Sequence, residues 1–458
     1  MKTVHSSIYY QNQYTHKVCE SMQVSVQVNQ NPYAIPPETL YEMAARINKK
    51  RSFLFVSKVL GKHIPLPPRV PLISSALLAA IYYEEKTTGQ LVGKEQLIEA
   101  LVDSSKEKLD AAYSVVREWN ISMDKPVTFI GFAETATALG HGVFDCFSDS
   151  IYIHSTREQL VDQDVTLYFE EEHSHATDQR CYAPELLLNN DRPICLVDDE
   201  ITTGNTALNI IASIQKRYPR KEYSVLSLLD WRSKKDRRRL EKFEKENNVT
   251  ITTHALLSGT IRVEGSPDLT DNTDAVGHMV TGVPEVERIS VRSLPVPLSN
   301  LTYSSVDSLG IVNSSPYLAI TGRFGITSDN RQDQEIYYEK VGSYLQAYRK
   351  GKKTLCLGTG EFMHIPMKVS MYMGDGVYYH TTTRSPIFPI EREDYPVKSR
   401  LVFESPDDPQ IMNYAYNVSG MEYDEVFLFF ERRIDDERLK PILDQFNGVP
   451  VIHIVDFI

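Results

Sequence analysis

Paired cysteines are missing from this chain. Its five cysteines, Cys19, Cys146, Cys181, Cys195 and Cys356, are scattered with no Cys-x-x-Cys pair, which points to free thiols in a reducing compartment. Long apolar runs are missing as well. No stretch reaches membrane-spanning length, and Met1-Lys2-Thr3-Val4-His5 lacks the apolar core of a signal peptide. A cationic surplus is the third absence: the formal net charge is −12, which argues against a general binder of nucleic acid or anionic membrane. It leaves local phosphate binding by loop backbones open. The expectation is a soluble, cytoplasmic protein whose 458 residues suffice for two or three domains.

What is present centres on Ile194-Cys195-Leu196-Val197-Asp198-Asp199-Glu200-Ile201-Thr202-Thr203-Gly204-Asn205-Thr206. The apolar residues read as a buried parallel strand. Carboxylates follow at its end, then a Thr- and Gly-rich turn, then helical spacing from Ala207 to Ile214. A strand, a tight loop and a helix N-terminus form an anion site because free backbone N–H groups converge there. Thr202, Thr203 and Thr206 add hydroxyl donors, and Gly204 permits close approach. Adjacent carboxylates beside a phosphate cradle suit a ribose 5-phosphate.

At these residues the chain resembles the type I phosphoribosyltransferases. The resemblance implies that Asp198 and Asp199 hold the ribose hydroxyls of phosphoribosyl pyrophosphate and approach Mg²⁺ indirectly. Thr202, Thr203, Gly204, Asn205 and Thr206 take the 5-phosphate. The strand Pro126–Gly131 precedes a small-residue loop, and in such enzymes that loop cradles pyrophosphate, which nominates Phe132, Ala133, Glu134, Thr135 and Ala136. Residues 167–191 stand where a mobile loop closes over the site. They carry Glu170, Glu171, Glu172, His173 and His175. A His-x-His pair beside acids suits a metal, a proton shuttle or a pyrophosphate contact; a solvated loop is the plain alternative. His173 and His175 join Asp198 and Asp199 as catalytic candidates.

Elsewhere the N-terminal 25 residues are a loose leader or an edge hairpin. Thr39–Ile47 reads as a short helix, Ile73–Glu85 as a strongly apolar one, and Lys94–Trp119 as one or two more. Lys58, Lys62 and His63 either face an acceptor or lie on a surface helix with snorkelling lysines. Arg157, at the end of the strand Ser150–His154, suits bidentate phosphate contact or a surface ion pair. Tyr223–Trp231 and Val249–Leu257 read as strands around a charged, solvated helix, Arg232–Asn247.

The C-terminal third echoes the middle. Thr354–Phe362 parallels Val127–Thr135, Val377–Arg384 parallels Ile151–Arg157, and Leu401–Glu404 parallels Leu167–Glu170. Val426–Glu431 stands for Ile194–Asp198, and Ile452–Phe457 for Leu226–Trp231. The Asp-Asp pair and phosphate loop are replaced by Glu431-Arg432-Arg433. Thr383-Arg384-Ser385-Pro386 is similar to the signature of the TRSP domain, found behind a phosphoribosyltransferase domain in bacterial tellurite-resistance gene clusters.

The expected organisation is a leader (1–25), an α/β phosphoribosyltransferase domain (26–257) and a linker with short strands (258–330). A degenerate phosphoribosyltransferase-like TRSP domain (331–458) follows, either keeping a binding site around Arg384 or serving as scaffold. The resemblance implies an Mg²⁺-dependent phosphoribosyltransferase joining phosphoribosyl pyrophosphate to a base-like acceptor, for a nucleotide-like metabolite of stress response. Purine salvage members often carry an acid where Thr202 stands, which favours an orotate-like or unusual acceptor. A non-catalytic sensor of phosphoribosyl pyrophosphate is the alternative, and the reverse, cleaving reaction a third. The expected partners are small molecules, not nucleic acid or membrane, with a homodimer or an internal pseudo-dimer as the assembly.

Overall fold

The structure is a computed structural model describing residues 12–47, 51–170, 178–267, 282–292, 294, 299–418 and 423–458. The chain starts as a hairpin, β1 (Gln13–Cys19) and β2 (Met22–Gln30). Met22, Val24, Val26 and Val28 alternate inward along β2, the period-2 pattern of a strand with one face on a core. Of the two readings of this stretch, the described part is the hairpin. It is an integral edge of the main sheet.

A one-turn helix, α1 (Pro37–Leu40), leads into β3 (Tyr41–Ala45), which pairs antiparallel with β4 (Phe53–Ser57). The helix expected over Thr39–Ile47 is therefore mostly strand. Glu42-Met43-Ala44-Ala45 favours helix locally, but pairing with Phe53 and Phe55 overrides it. Tyr41 packs edge-on against Phe55, and Phe55 stacks on Trp231 at 4.8 Å. Next comes α2 (Arg69–Lys86), buried on every side from Val70 to Tyr82, then α3 (Lys94–Val102) and α4 (Lys106–Glu118).

The core follows as β5 (Thr128–Gly131), α5 (Ala136–Phe144), β6 (Ile151–His154), β7 (Gln159–Leu160), β8 (Leu167–Glu170) and β9 (Asp178–Cys181). It continues through α6 (Glu185–Leu188), β10 (Ile194–Ile201), α7 (Asn205–Arg217), β11 (Glu222–Asp230), α8 (Lys234–Asn247) and β12 (Thr250–Gly265). β6, β5, β10, β11 and β12 run parallel. Cys195 and Val197 pack on one face of the sheet, Ile194 and Leu196 on the other. Burial on both faces explains the uninterrupted apolar run of β10. All five cysteines are free.

The described residues of 258–330 carry several strands that pair with both units. β12 runs on to Gly265 against β2. β13 (Glu285–Ser290) edges a second sheet, and short strands β14 (Asn300–Leu301), β15 (Ser305–Val306), β16 (Val312–Asn313), β17 (Tyr317–Leu318) and β18 (Ile326–Thr327) follow. β15 pairs with β7 and β18 with β6, so this segment straps the first unit.

The second unit comprises α9 (Arg331–Gln346), β19 (Thr354–Gly358), α10 (His364–Ser370), β20 (Val377–Thr381), β21 (Arg400–Glu404) and β22 (Met412–Tyr416). β23 (Glu425–Phe430), α11 (Asp436–Leu443) and β24 (Val451–Asp456) complete it. Its sheet order β24-β23-β19-β20 repeats β11-β10-β5-β6, and the hairpin β21-β22 repeats β8-β9. Register makes the equivalence residue by residue. Val197 faces Gly131 as Phe429 faces Gly358, so Asp199 corresponds to Glu431, Glu134 to Glu361, and Arg157 to Arg384.

The units meet through reciprocal contacts, the pattern of a two-fold pairing. The Arg157 N–H donates to Glu361 at 2.7 Å, and the Arg384 N–H to Glu134 at 3.4 Å. The His154 N–H donates to the Gly322 carbonyl, and the Thr381 N–H to that of Gly61. Among the described residues no helix is long and apolar enough to cross a membrane.

Candidate active site

The site lies where β5, β6 and β10 end, the edge at which open parallel sheets bind ligands. β10 continues through the carboxylates, with Ile201 still paired to Asp230 of β11, so Asp198, Asp199 and Glu200 sit half-buried on strand backbone. The turn follows at once. Gly204 has φ +79°, which L side chains rarely adopt. The Asn205 N–H turns back to the Thr203 hydroxyl at 3.2 Å, and Arg239 donates to the Thr203 carbonyl at 2.9 Å. α7 then presents its first backbone N–H groups and its positive dipole end to the cleft.

Opposite, β5 delivers the loop 132–136. A Cβ on Gly131 would stand 2.5 Å from the Ala136 carbonyl oxygen and 2.6 Å from the Tyr152 hydroxyl, so only glycine fits. The Ala133–Glu134 peptide is cis. The Ala133 N–H donates to the Ser155 hydroxyl at 2.8 Å, Ser155 donates to Gln179 at 2.6 Å, and Gln179 donates back to the Ala133 carbonyl at 2.9 Å. This closed ring of bonds fixes the loop.

Between the loops lies a cavity of about 150 Å³ lined by Phe132–Ala136, Arg157, Asp198, Asp199 and Thr206, with Arg46, Lys62, Gln179, Arg384 and Ser385. A wider lobe of about 420 Å³ shares Arg46, Lys62, Phe132, Asp198, Asp199, Thr206 and Ser385, and adds Thr202, Thr203, Gly204, Arg51, Phe53, Phe55, His63, Glu200, Ile201 and Val225. Cations and carboxylates alternate around the cleft. Lys62 pairs with Asp199 at 3.2 Å, Arg51 with Glu200 at 2.6 Å, and Arg157 with Glu134 at 3.7 Å. His63, 3% exposed, is held well below its ordinary pKa by burial and then by Lys62, His380 and Arg46, so it is neutral.

The structure thus gathers most of the nominated residues. Asn205 opens α7 without lining either lobe. Lys58 lies apart, paired with Glu42 at 3.0 Å. Its neighbours Phe53–Ser57 form a strand, not the surface helix that was the plain alternative. His173 and His175, with Glu171 and Glu172, lie outside the described residues. Sequence reasoning missed Arg46, Gln179 and Ser385, and it assigned Arg384 to a site of its own unit. Only the echo of Arg157 in Arg384 carried a signal.

The equivalent place in the second unit is filled by protein. Arg323, 2% exposed, pairs with Glu431 at 2.7 Å, Glu158 at 3.0 Å and Glu361 at 3.5 Å. Arg432 joins Glu158 at 3.3 Å. This network stands where Lys62 and Asp199 stand in the first unit, and Arg384 itself lines the first unit's cavity.

One further cluster among the described residues has metal-ligand chemistry: His141, Asp145 and His364, their ligand atoms within 4.8 Å. The imidazoles stack 3.7 Å apart with 11° between planes, so their in-plane lone pairs run side by side instead of converging. Lys368, 3.7 Å from Asp145, already supplies positive charge. The cluster is a joint between α5 and α10.

Fold and cleft together define an α/β protein of the phosphoribosyltransferase type. Residues 40–260 match the family model described as phosphoribosyl transferase, and residues 320–446 match that described as TRSP domain C terminus to PRTase_2. The chain thus carries a phosphoribosyl transferase domain followed by a TRSP domain. Among curated proteins none matches in sequence. Similar solved structures include adenine phosphoribosyltransferase from Trypanosoma brucei, in complex with AMP, pyrophosphate and ribose-5-phosphate. It is 11% identical, covering 50% of this chain and 82% of that one, with a TM-score of 0.31. The Leishmania donovani enzyme is 15% identical over 35% and 68%, with a TM-score of 0.23. The Saccharomyces cerevisiae enzyme is 11% identical over 49% and 98%, with a TM-score of 0.24. The acceptor of those enzymes is not carried over to this chain.

Proposed function

We propose that the protein transfers the phosphoribosyl group of phosphoribosyl pyrophosphate to a nitrogen of a base-like acceptor, releasing pyrophosphate. One observation carries this reading: the Asp198/Asp199–Thr206 loop and the Phe132–Ala136 loop, far apart in sequence, wall one cavity. The first loop suits ribose hydroxyls and the 5-phosphate. The second, with Arg157, suits pyrophosphate. The apolar walls Phe53, Phe55, Phe132, Ile201 and Val225 of the wider lobe suit a flat ring, and the Arg51–Glu200 pair offers it a donor and an acceptor. Thr202 in place of an acid keeps an orotate-like or unusual acceptor in favour.

Bond breaking at C1 of the ribose develops positive charge on the sugar and negative charge on the leaving pyrophosphate. No covalent nucleophile is required. The chain's part is to hold both reactants in line and to place N–H groups and Arg157 where the leaving charge grows. Lys62 holds one Asp199 oxygen, which orients the carboxylate toward the ribose hydroxyls. The donor set suits Mg²⁺, which takes hard oxygen ligands and binds through one or two carboxylates plus phosphate oxygens and water. Asp198, Asp199 and Glu134 bring carboxylates to one cavity. When bound, Mg²⁺ would neutralise pyrophosphate charge. Reciprocal contacts support an internal pseudo-dimer, in which the second unit stands where a second subunit would. The TRSP domain supports a nucleotide-like product for stress response.

The test is pyrophosphate release on mixing the full chain, phosphoribosyl pyrophosphate and Mg²⁺ with a panel of nitrogenous bases. Acceptor-dependent release, absent in Asp198→Asn/Asp199→Asn, is expected. Tight binding with no release across the panel would favour the sensor instead.

A further inference from the structure

Arg384 and Ser385 belong to the second unit but line the first unit's cavity, beside Asp198, Glu134 and Arg157. Their segment is anchored from both units. Toward the first, the Ile47 N–H donates to the Pro386 carbonyl at 3.1 Å and the Phe388 N–H to that of Ala45 at 2.9 Å. Toward the second, Tyr416 takes the Ile387 N–H at 2.7 Å and donates to the Ser385 carbonyl at 2.6 Å. Thr383 bridges to Tyr414. A turn held at five points is a built wall, and its rigidity lowers the cost of fixing a ligand against it.

The charge at this wall has a purpose in the cavity. Arg384 is half-buried, and its backbone N–H already engages Glu134. Among the described residues no carboxylate pairs with its guanidinium, whereas Arg157 approaches Glu134 and Arg323 is locked by three carboxylates. Two arginines from equivalent positions of the two units thus flank one pyrophosphate loop. The second unit's own cleft is closed by its ion network. A guanidinium fork matches phosphate oxygens bidentately.

We infer that Arg384, the arginine of the Thr-Arg-Ser-Pro signature, binds the pyrophosphate moiety in the first unit's site, so that the TRSP domain completes an active site it does not itself contain. The inference rests on the phosphoribosyl pyrophosphate reading above. It explains why a unit with no phosphate loop keeps this turn.

The test is calorimetric titration of the full chain, with Mg²⁺, by phosphoribosyl pyrophosphate, by inorganic pyrophosphate and by ribose 5-phosphate, for wild type, Arg384→Ala and Arg384→Lys. Loss of one charge-assisted contact predicts that Arg384→Ala weakens the first two ligands by roughly 10- to 100-fold and leaves ribose 5-phosphate unchanged. Arg384→Lys should recover part of the loss. Equal binding of pyrophosphate by wild type and Arg384→Ala would overturn the inference while leaving the active-site reading intact. Equal weakening of all three ligands would also overturn it, by showing a general role in the cleft. Wild-type protein that binds none of them would overturn both readings.

Discussion

Gly131 sets the geometry of the 132–136 loop by having no side chain. Gly131→Ala must push the Ala136 carbonyl or Tyr152 aside, and Tyr152 is fully buried. We expect a loss of roughly 1–3 kcal/mol in stability by chemical denaturation, as for other overpacked core positions. We also expect a fall of about 100-fold in phosphoribosyl pyrophosphate affinity, from displacement of the loop. Lys62 acts differently, because it pairs with Asp199, the carboxylate proposed to hold the ribose. Lys62→Met should weaken ribose 5-phosphate and phosphoribosyl pyrophosphate alike and spare inorganic pyrophosphate, a split that titration of the three would reveal. The residues legible in the sequence were those whose chemistry is contiguous. Asp198, Asp199 and Thr202–Thr206 are one turn of chain, and Phe132–Ala136 another. Arg46 and Arg384 reach the same cavity only because strands pair across the chain, and no local spacing encodes that.

At the scale of elements, His380 on β20 shows how a buried strand links the units. Its Nε2 accepts the Tyr416 N–H at 3.3 Å, so Nδ1 carries the proton and donates to the Gly61 carbonyl at 2.7 Å. Burial lowers its pKa to about 4. Between that value and the ordinary 6.5 the native state binds fewer protons than the unfolded chain, so stability rises with pH across this window. It is complete above pH 6.5 and lost as pH falls toward 4, with a full effect of roughly 3 kcal/mol from this group. Urea unfolding of wild type should therefore shift to lower midpoint between pH 7 and pH 5, and His380→Gln should flatten that slope. An unchanged slope in the variant would remove His380 from the account. Elements marked by an unbroken apolar run or a run of charge were legible: α2, the parallel strands, and the charged α8. The helix read over Thr39–Ile47 was not, because Phe53–Ser57 pairs with it to make a strand.

The whole molecule pairs two units that share a four-strand sheet order, of which one has a cleft and the other an ion network in its place. The duplication was legible as a series of echoes in order, since buried parallel strands leave apolar runs at matching intervals. Which copy's loops face which cleft was not, because docking is set by pairs such as Arg157–Glu361 and Arg384–Glu134. Nor was the role of residues 258–330, whose short strands lack a period long enough to read. Arg323→Met should test the network. It leaves the buried carboxylates of Glu361 and Glu431 without their shared cation, while half-buried Glu158 keeps Arg432, a loss of roughly 3–5 kcal/mol. The loss should shrink from pH 8 to pH 5, because the stranded carboxylates take up protons in the native state. Equal losses at both pH values, by urea unfolding, would argue against a charge effect.

The central claim is that the first unit's cleft binds phosphoribosyl pyrophosphate through Asp198, Asp199 and the loop they open. Calorimetric titration of the full chain with phosphoribosyl pyrophosphate and Mg²⁺, wild type against Asp198→Asn/Asp199→Asn, measures it directly. The account predicts saturable binding at one site per chain that the double variant loses. No binding by folded wild type, or equal binding by the variant, would contradict it.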